Sequence, residues 1–186
     1  NGIKLFNANG IKFPDDIEKK IEDCLENEDF EKYLATDDKI GKRTVSEHGL
    51  YQQRYIQFLK NTFPRSLSLD GINIVVDCAN GASYKIAPTV LSELGAEIFV
   101  IGNQPNGINI NENCGSTHME KLQEFVKANK LNLGIAYDGD GDRCLAVDEN
   151  GNIIDGDIIM AIISNSLKQK GKLKKDTLVA TVMSNL

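Results

Sequence analysis

Ile72-Asn73-Ile74-Val75-Val76-Asp77 is a short, nearly continuous apolar run. That is the pattern of a strand covered on both faces, as in a parallel or mixed sheet layered with helices. Ala79-Asn80-Gly81 behind it reads as a turn, and residues 83–94 read as a helix that Gly95 stops, with Pro88 either a kink or a late residue of its first turn. A second apolar strand follows over 96–101. A loop rich in Gly and Asn spans 102–115, then come a helix from about 119 to 129 and a strand over 131–137. Strand–helix–strand–helix–strand predicts right-handed crossovers and an α/β fold, its mixed, mostly parallel sheet sandwiched by helices.

Outward from this block, 144–148 reads as a strand, 149–152 as a turn and 156–170 as a helix. Thr177-Leu178-Val179-Ala180-Thr181-Val182-Met183 reads as the opening strand of a further unit. Toward the N-terminus, residues 1–13 alternate apolar residues with Asn and Gly. Asn7-Ala8-Asn9-Gly10 there suits a tight turn with positive φ at Gly10. Pro14 precedes a helix marked by Ile17, Ile21, Cys24 and Leu25, with Asp15, Asp16 and Glu18 near its positive end. A polar connector covers 26–42. Thr44-Val45-Ser46-Glu47 fits a capping box for a second helix that runs through Tyr51, Tyr55, Ile56, Phe58 and Leu59 until Pro64 ends it.

The chain has 186 residues, 41% hydrophobic and 26% charged, an ordinary globular composition with enough length to bury a core. A formal charge of −6 and the lack of a long basic run argue against an electrostatic binder of nucleic acid or of an anionic membrane. The longest apolar stretches, such as 158–163, are far too short to span a bilayer. Cys24, Cys78, Cys114 and Cys144 form no CxxC pair, so they suit neither a zinc knuckle nor a disulfide scaffold; reduced, packed thiols in a cytoplasmic protein are expected. No secretory signal opens the sequence, and it does not start with Met, so Asn1 is expected to be an internal residue of a longer polypeptide.

The densest chemistry is Asp138-Gly139-Asp140-Gly141-Asp142-Arg143. Alternate residues of an extended loop turn their side chains toward one point, and the glycines let the backbone curl around a hard cation. Three carboxylates so close repel one another unless something neutralises them, so Asp138, Asp140 and Asp142 are expected to be metal ligands. An EF-hand loop would also place Asp at its first, third and fifth positions and Glu149 at its twelfth. Its sixth position, however, is Arg143 where a sharp turn needs Gly, and the flanks read as strands, so that assignment fails. Three carboxylate oxygens leave room for a phosphate oxygen, the way Mg²⁺ works with phosphorylated substrates, and Arg143 beside them could fork onto phosphate.

These residues resemble the α-D-phosphohexomutases, most closely their phosphoglucosamine mutase branch. Asp-Gly-Asp-Gly-Asp-Arg at 138–143 resembles that superfamily's metal loop, and Asn1-Gly-Ile-Lys4-Leu-Phe-Asn-Ala-Asn-Gly10 resembles the segment just after its phosphoserine loop. Asp77-Cys-Ala-Asn-Gly81-Ala and Asn113-Cys-Gly-Ser-Thr-His118 resemble second-domain motifs of the branch. The resemblance implies that 1–66 is the end of a first domain with its linker, 67–172 a second domain carrying the metal loop, and 173–186 the first strand of a third. The phosphoserine, the sugar-recognition loop and the phosphate-binding C-terminal domain then lie outside these residues, and this stretch alone is expected to be inactive.

The implied reaction interconverts glucosamine 6-phosphate and glucosamine 1-phosphate through a phosphoserine and a bisphosphorylated sugar, with Mg²⁺ as cofactor. Lys4 is implied as a catalytic group near the transferring phosphoryl group, and Arg143 as a catalytic and substrate-binding group. For His118 the choice lies between substrate-site support and a place in a helix cap formed by Ser116 or Thr117. The implied partners are the phosphosugar and the remaining domains of the same enzyme, with no nucleic acid or membrane; a homodimer stays open. A sibling acting on glucose or mannose phosphates and a non-catalytic cation-binding domain are the alternatives. His48 has no constellation around it, and Cys114 and Cys144 lack a base partner for a nucleophilic role.

Overall fold

The computed structural model describes residues 4–27, 34–36, 39–41 and 49–184. The chain divides into two compact units, Asn1–Gly49 and Leu50–Leu186. In the first, Phe6 and Lys12 form an antiparallel bridge around the expected turn. Asn7 Oδ1 accepts the N–H groups of Asn9 and Ile11, and Gly10 takes φ 74°. Helix α1 (Asp15–Glu26) starts after Pro14 with three acidic residues in its first turn, as its dipole favours, and has no buried residue. The expected capping box at 44–47 lies outside the described residues.

The second unit begins with α2 (Leu50–Thr62). Helix α2 packs on α3 (Ile86–Glu93), where Lys60 Nζ donates to Glu93 Oε2 at 2.7 Å. Helix α2 belongs to the same compact unit as the sheet. The sheet has the order β2-β1-β3-β4-β5, with β1 (Asn73–Asp77), β2 (Glu97–Ile101), β3 (Leu133–Tyr137), β4 (Cys144–Asp148) and β5 (Ile153–Ile154). Strand β1 pairs in parallel with both β2 and β3, and β4 pairs antiparallel with β3 and β5. Short loops leave β4 no alternative, because a parallel crossover needs a dozen or more residues.

The crossovers from β1 to β2 and from β2 back past β1 to β3 run in opposite directions, so right-handedness sends their helices to opposite faces. On one face Ile74 and Val76 pack with Ala87 of α3, Ile98 and Val100. On the other, Val75, Ala136 and Val147 pack with Leu122 and Val126 of α4 (Glu120–Asn129). Gly134 keeps β3 close to α4: a Cβ there would lie 2.9 Å from Val126 Cγ2. The mixed α/β sandwich expected from the sequence is thus what the chain forms.

Three local differences have physical causes. The helix expected over 83–94 opens with a 3-10 turn, Ala82–Tyr84, before α3. Pro88 therefore falls in the first turn of α3, where its missing N–H has no acceptor to lose, and no kink follows. Strand β5 was not anticipated. It forms because Asp148 accepts the Asn150 and Asn152 N–H groups and closes the hairpin, with Gly151 at φ 81°. Helix α5 (Gly156–Gln169) is capped by Asp155, whose side chain accepts from Ile158 N, yet buries no residue fully. The strand expected over 177–183 pairs with nothing among the described residues, and Val179 and Val182 are 87% and 100% exposed. A lone strand has no ladder to complete.

Leu122 is wholly buried between α4 and the sheet, while Ile162 on α5 is 58% exposed. Leu122→Ala should lower unfolding free energy by about 2–5 kcal/mol and Ile162→Ala by less than about 1 kcal/mol, as measured by denaturant titration.

Candidate functional site

Strands β1 and β3 lie side by side and parallel, so the loops leaving their carboxyl ends emerge next to each other, where open α/β sheets hold ligands. The loop after β3 carries Asp138, Asp140 and Asp142, and one oxygen from each lies within 4.8 Å of the others. Asp138 is buried at 2% exposure, and the other two are exposed. Gly139 fits where a Cβ would lie 2.6 Å from Ile110 Cδ1. A Cβ on Gly81 would come within 2.7 Å of Gly139 Cα, so two glycines allow the loops to touch backbone to backbone. Ala82 N donates to Gly139 O at 2.8 Å across that contact. Gly141, at φ 75°, completes the turn, with its N–H on Asp138 O.

Arg143 binds both oxygens of Asp138: its backbone N–H donates to Oδ1 at 3.0 Å and its Nε to Oδ2 at 2.8 Å. Burial pushes the Asp138 carboxyl up, but the Arg143 side-chain bond, its backbone N–H and its charge together outweigh that and hold it at about 2. Asp142 lies above the ordinary carboxylate value because the charges of Asp140 and then Asp138 repel its ionised form. Arg143 thus neutralises one carboxylate while the loop keeps an excess of negative charge. The donor set is all oxygen, as a hard divalent cation requires. The residues present fit such an ion. Strands on both flanks and Arg143 at the sixth loop position exclude the EF-hand geometry.

The other expected site residues lie as follows. His118 is exposed just before α4, with its N–H on Gly115 O; its imidazole makes no hydrogen bond among the described residues. Met119 occupies the cap position of α4 without a side-chain bond, so neither Ser116 nor Thr117 caps the helix. Ser116 instead donates its N–H to Tyr137 O at 2.9 Å, which docks this loop beside the acidic one. Lys4 is exposed in the first compact unit. All four cysteines are free thiols; burial pushes Cys78 up to about 12 and Cys114 up as well, against any nucleophilic role.

Asp77, which the sequence shows only as the end of an apolar run and the start of a motif, has a structural part of its own. It is completely buried, and its oxygens accept the N–H groups of Ala79 at 2.9 Å and Gly115 at 2.8 Å. The available signal was a carboxylate ending an apolar run, a residue type seldom buried unless its oxygens are occupied. An apolar cavity of about 400 Å³ between α2 and α3, reaching Asp140 and Gly141, was likewise not anticipated.

Residues 53–151 match the family model described as phosphoglucomutase/phosphomannomutase, alpha/beta/alpha domain II. The phosphoglucosamine mutase of Acetivibrio thermocellus is 50% identical over 186 residues, all of this chain and 40% of the relative. That of Rhizobium johnstonii is 53% identical over 188 residues, again all of this chain and 41% of the relative. The chain therefore spans about two fifths of the length of the curated relatives it matches. Among solved structures, a phosphoglucomutase/phosphomannomutase family protein from Burkholderia thailandensis superimposes with a TM-score of 0.53 at 26% identity, covering 64% of this chain and 26% of that one.

The Asp138–Arg143 pairing sets an acid limit. The folded-state value of Asp138 is depressed from 3.8 to about 2, so its contribution to stability is present above pH about 4 and is lost as pH falls toward 2. Urea unfolding across that window should show stability falling less steeply for Asp138→Asn than for the unaltered chain.

Proposed function

The chain belongs to the phosphoglucomutase/phosphomannomutase family, and from that premise we propose that it is the metal-holding part of a phosphoglucosamine mutase. The proposed whole enzyme interconverts glucosamine 6-phosphate and glucosamine 1-phosphate through a phosphoserine and a bisphosphorylated sugar. The observation that carries the reading is the convergence of the Asp138, Asp140 and Asp142 oxygens at the carboxyl edge of the sheet. The glucosamine assignment is supported by relatives of that name at 50–53% identity along the whole chain.

In this reading Asp138, Asp140 and Asp142 hold Mg²⁺, which when bound withdraws charge from a phosphoryl oxygen as the group moves. The chain's own residues supply the rest. Arg143 is anchored through Nε on Asp138, which orients the guanidinium plane and leaves its terminal amino groups free to fork onto a sugar phosphate. Asp138 stays ionised through the working pH range because Arg143 holds it at about 2. Lys4 is proposed to stabilise charge or move a proton at the transferring phosphoryl group, and His118 to support the substrate site. A phosphosugar substrate, the enzyme's other domains as partners and a cytoplasmic setting complete the proposal. No described helix is long and apolar enough to cross a membrane.

Two measurements test it. With the intact enzyme and Mg²⁺, rates on the 6-phosphates of glucosamine, glucose and mannose should show a clear preference for glucosamine. Comparable rates on the plain hexoses would keep the family and defeat the branch assignment. In the same enzyme Asp140→Asn should weaken Mg²⁺ binding about tenfold or more, the scale of one charge-assisted contact, about 1.5–3 kcal/mol. Unchanged affinity by calorimetry would remove Asp140 from the ligand set.

A further inference from the structure

We infer that Asp77 is a positioning residue for the acidic loop, the buried anchor that gathers three loops into one arrangement. The inference rests on the reading of Asp138, Asp140 and Asp142 as cation ligands. Asp77 ends β1, and its side-chain hydrogen bonds among the described residues all go to backbone N–H groups, none to those carboxylates. Its Oδ1 accepts Ala79 N–H and pins the loop after β1. Its Oδ2 accepts Gly115 N–H, 38 residues away in sequence, and pins the loop after β2. Asn111 N–H on Ala79 O ties those two loops to each other. The first then docks on the loop after β3 through Ala82 N–H on Gly139 O, and the second on the end of β3, just before that loop, through Ser116 N–H on Tyr137 O.

Chemistry explains why this position needs a carboxylate. Both partners are backbone donors and the side chain is wholly buried, so both oxygens must accept. An amide of the same shape would turn its NH₂ toward one of two N–H groups, whichever way it was flipped, and leave donors facing each other. The loops it holds turn through the left-handed region: Asn80, Asn111 and Asn113, at φ of 47°, 58° and 50°, are of a type that tolerates it, whereas Ala79 at φ 53° carries a Cβ that makes it costly. Gly102 leaves room for the carboxylate, since a Cβ there would collide with Asp77 Oδ1.

The experiment is Mg²⁺ titration calorimetry on the full chain, with folding followed by circular dichroism. Asp77→Asn should weaken Mg²⁺ binding about tenfold or more, as loss of an outer support of metal ligands does. Val126→Ala, which loosens the same core without touching the loops, should leave affinity unchanged within about twofold. Asp140→Asn is the control for the underlying reading. If Asp140→Asn weakens binding while Asp77→Asn does not, the inference is overturned and the cation site stands. If Val126→Ala weakens binding as much as Asp77→Asn, the role is merely structural and the inference is again overturned. Unchanged binding in Asp140→Asn would defeat the cation reading itself and the inference with it. Should Asp77→Asn fail to fold, Asp77→Glu decides: it keeps a carboxylate but moves both acceptor oxygens by one methylene, so weakened binding upholds the inference and full affinity overturns it.

Discussion

The parallel ladder between β1 and β3 is the constraint on which the site depends. It brings Asp77 opposite Ala136, so the chain leaves both strands at the same edge of the sheet, one loop beside the other. Everything chemical in the second unit follows from that adjacency. Gly81 and Gly139 can meet, Ala82 can bond to Gly139, and the acidic residues are delivered to one place. The ladder is itself secured by apolar packing on both faces, Ile74 and Val76 toward α3 and Val75 toward α4. Burial of such side chains contributes on the order of 1.5–3 kcal/mol each. A local acidic sequence thus becomes a site through non-local pairing.

Electrostatics at the loop runs against the fold. Three carboxylates in contact repel, which is visible in Asp142 standing above its ordinary value, and Arg143 offsets only the buried one. A structure that keeps repelling groups together spends stability on function, and the compensation comes from the loops around them. Asp140 and Asp142 remain exposed, open to an ion and to whatever that ion would bind. The buried Asp138 and its Arg143 partner instead form the fixed side of the site.

Much of this was legible in the sequence, for reasons that can be stated residue by residue. The apolar runs at 72–77, 96–101 and 131–137 have no alternative to burial, so the element order of the sheet could be read directly. The convergence of Asp138, Asp140 and Asp142 was legible because alternation with glycine lets a loop turn its carboxylates toward one point. Asp77 was not, because its role is defined by Gly115, which lies far away in the chain and touches it only after the sheet has formed. Strand β5 was missed because two residues carry no periodicity, and it is specified by the Asp148 side chain and by pairing with β4. The 177–183 segment has residues well suited to a strand, but it finds no neighbour among the described residues and so forms no ladder.

The central claim is that the three loop carboxylates form one hard-cation site. Diffraction from crystals of the chain soaked in Mn²⁺, an oxygen-seeking stand-in for Mg²⁺, tests it most directly. The account predicts a single strong anomalous peak within coordination distance of oxygens from Asp138, Asp140 and Asp142, with Arg143 still on Asp138. A loop free of metal at saturating Mn²⁺, or a peak held by other residues, would contradict it.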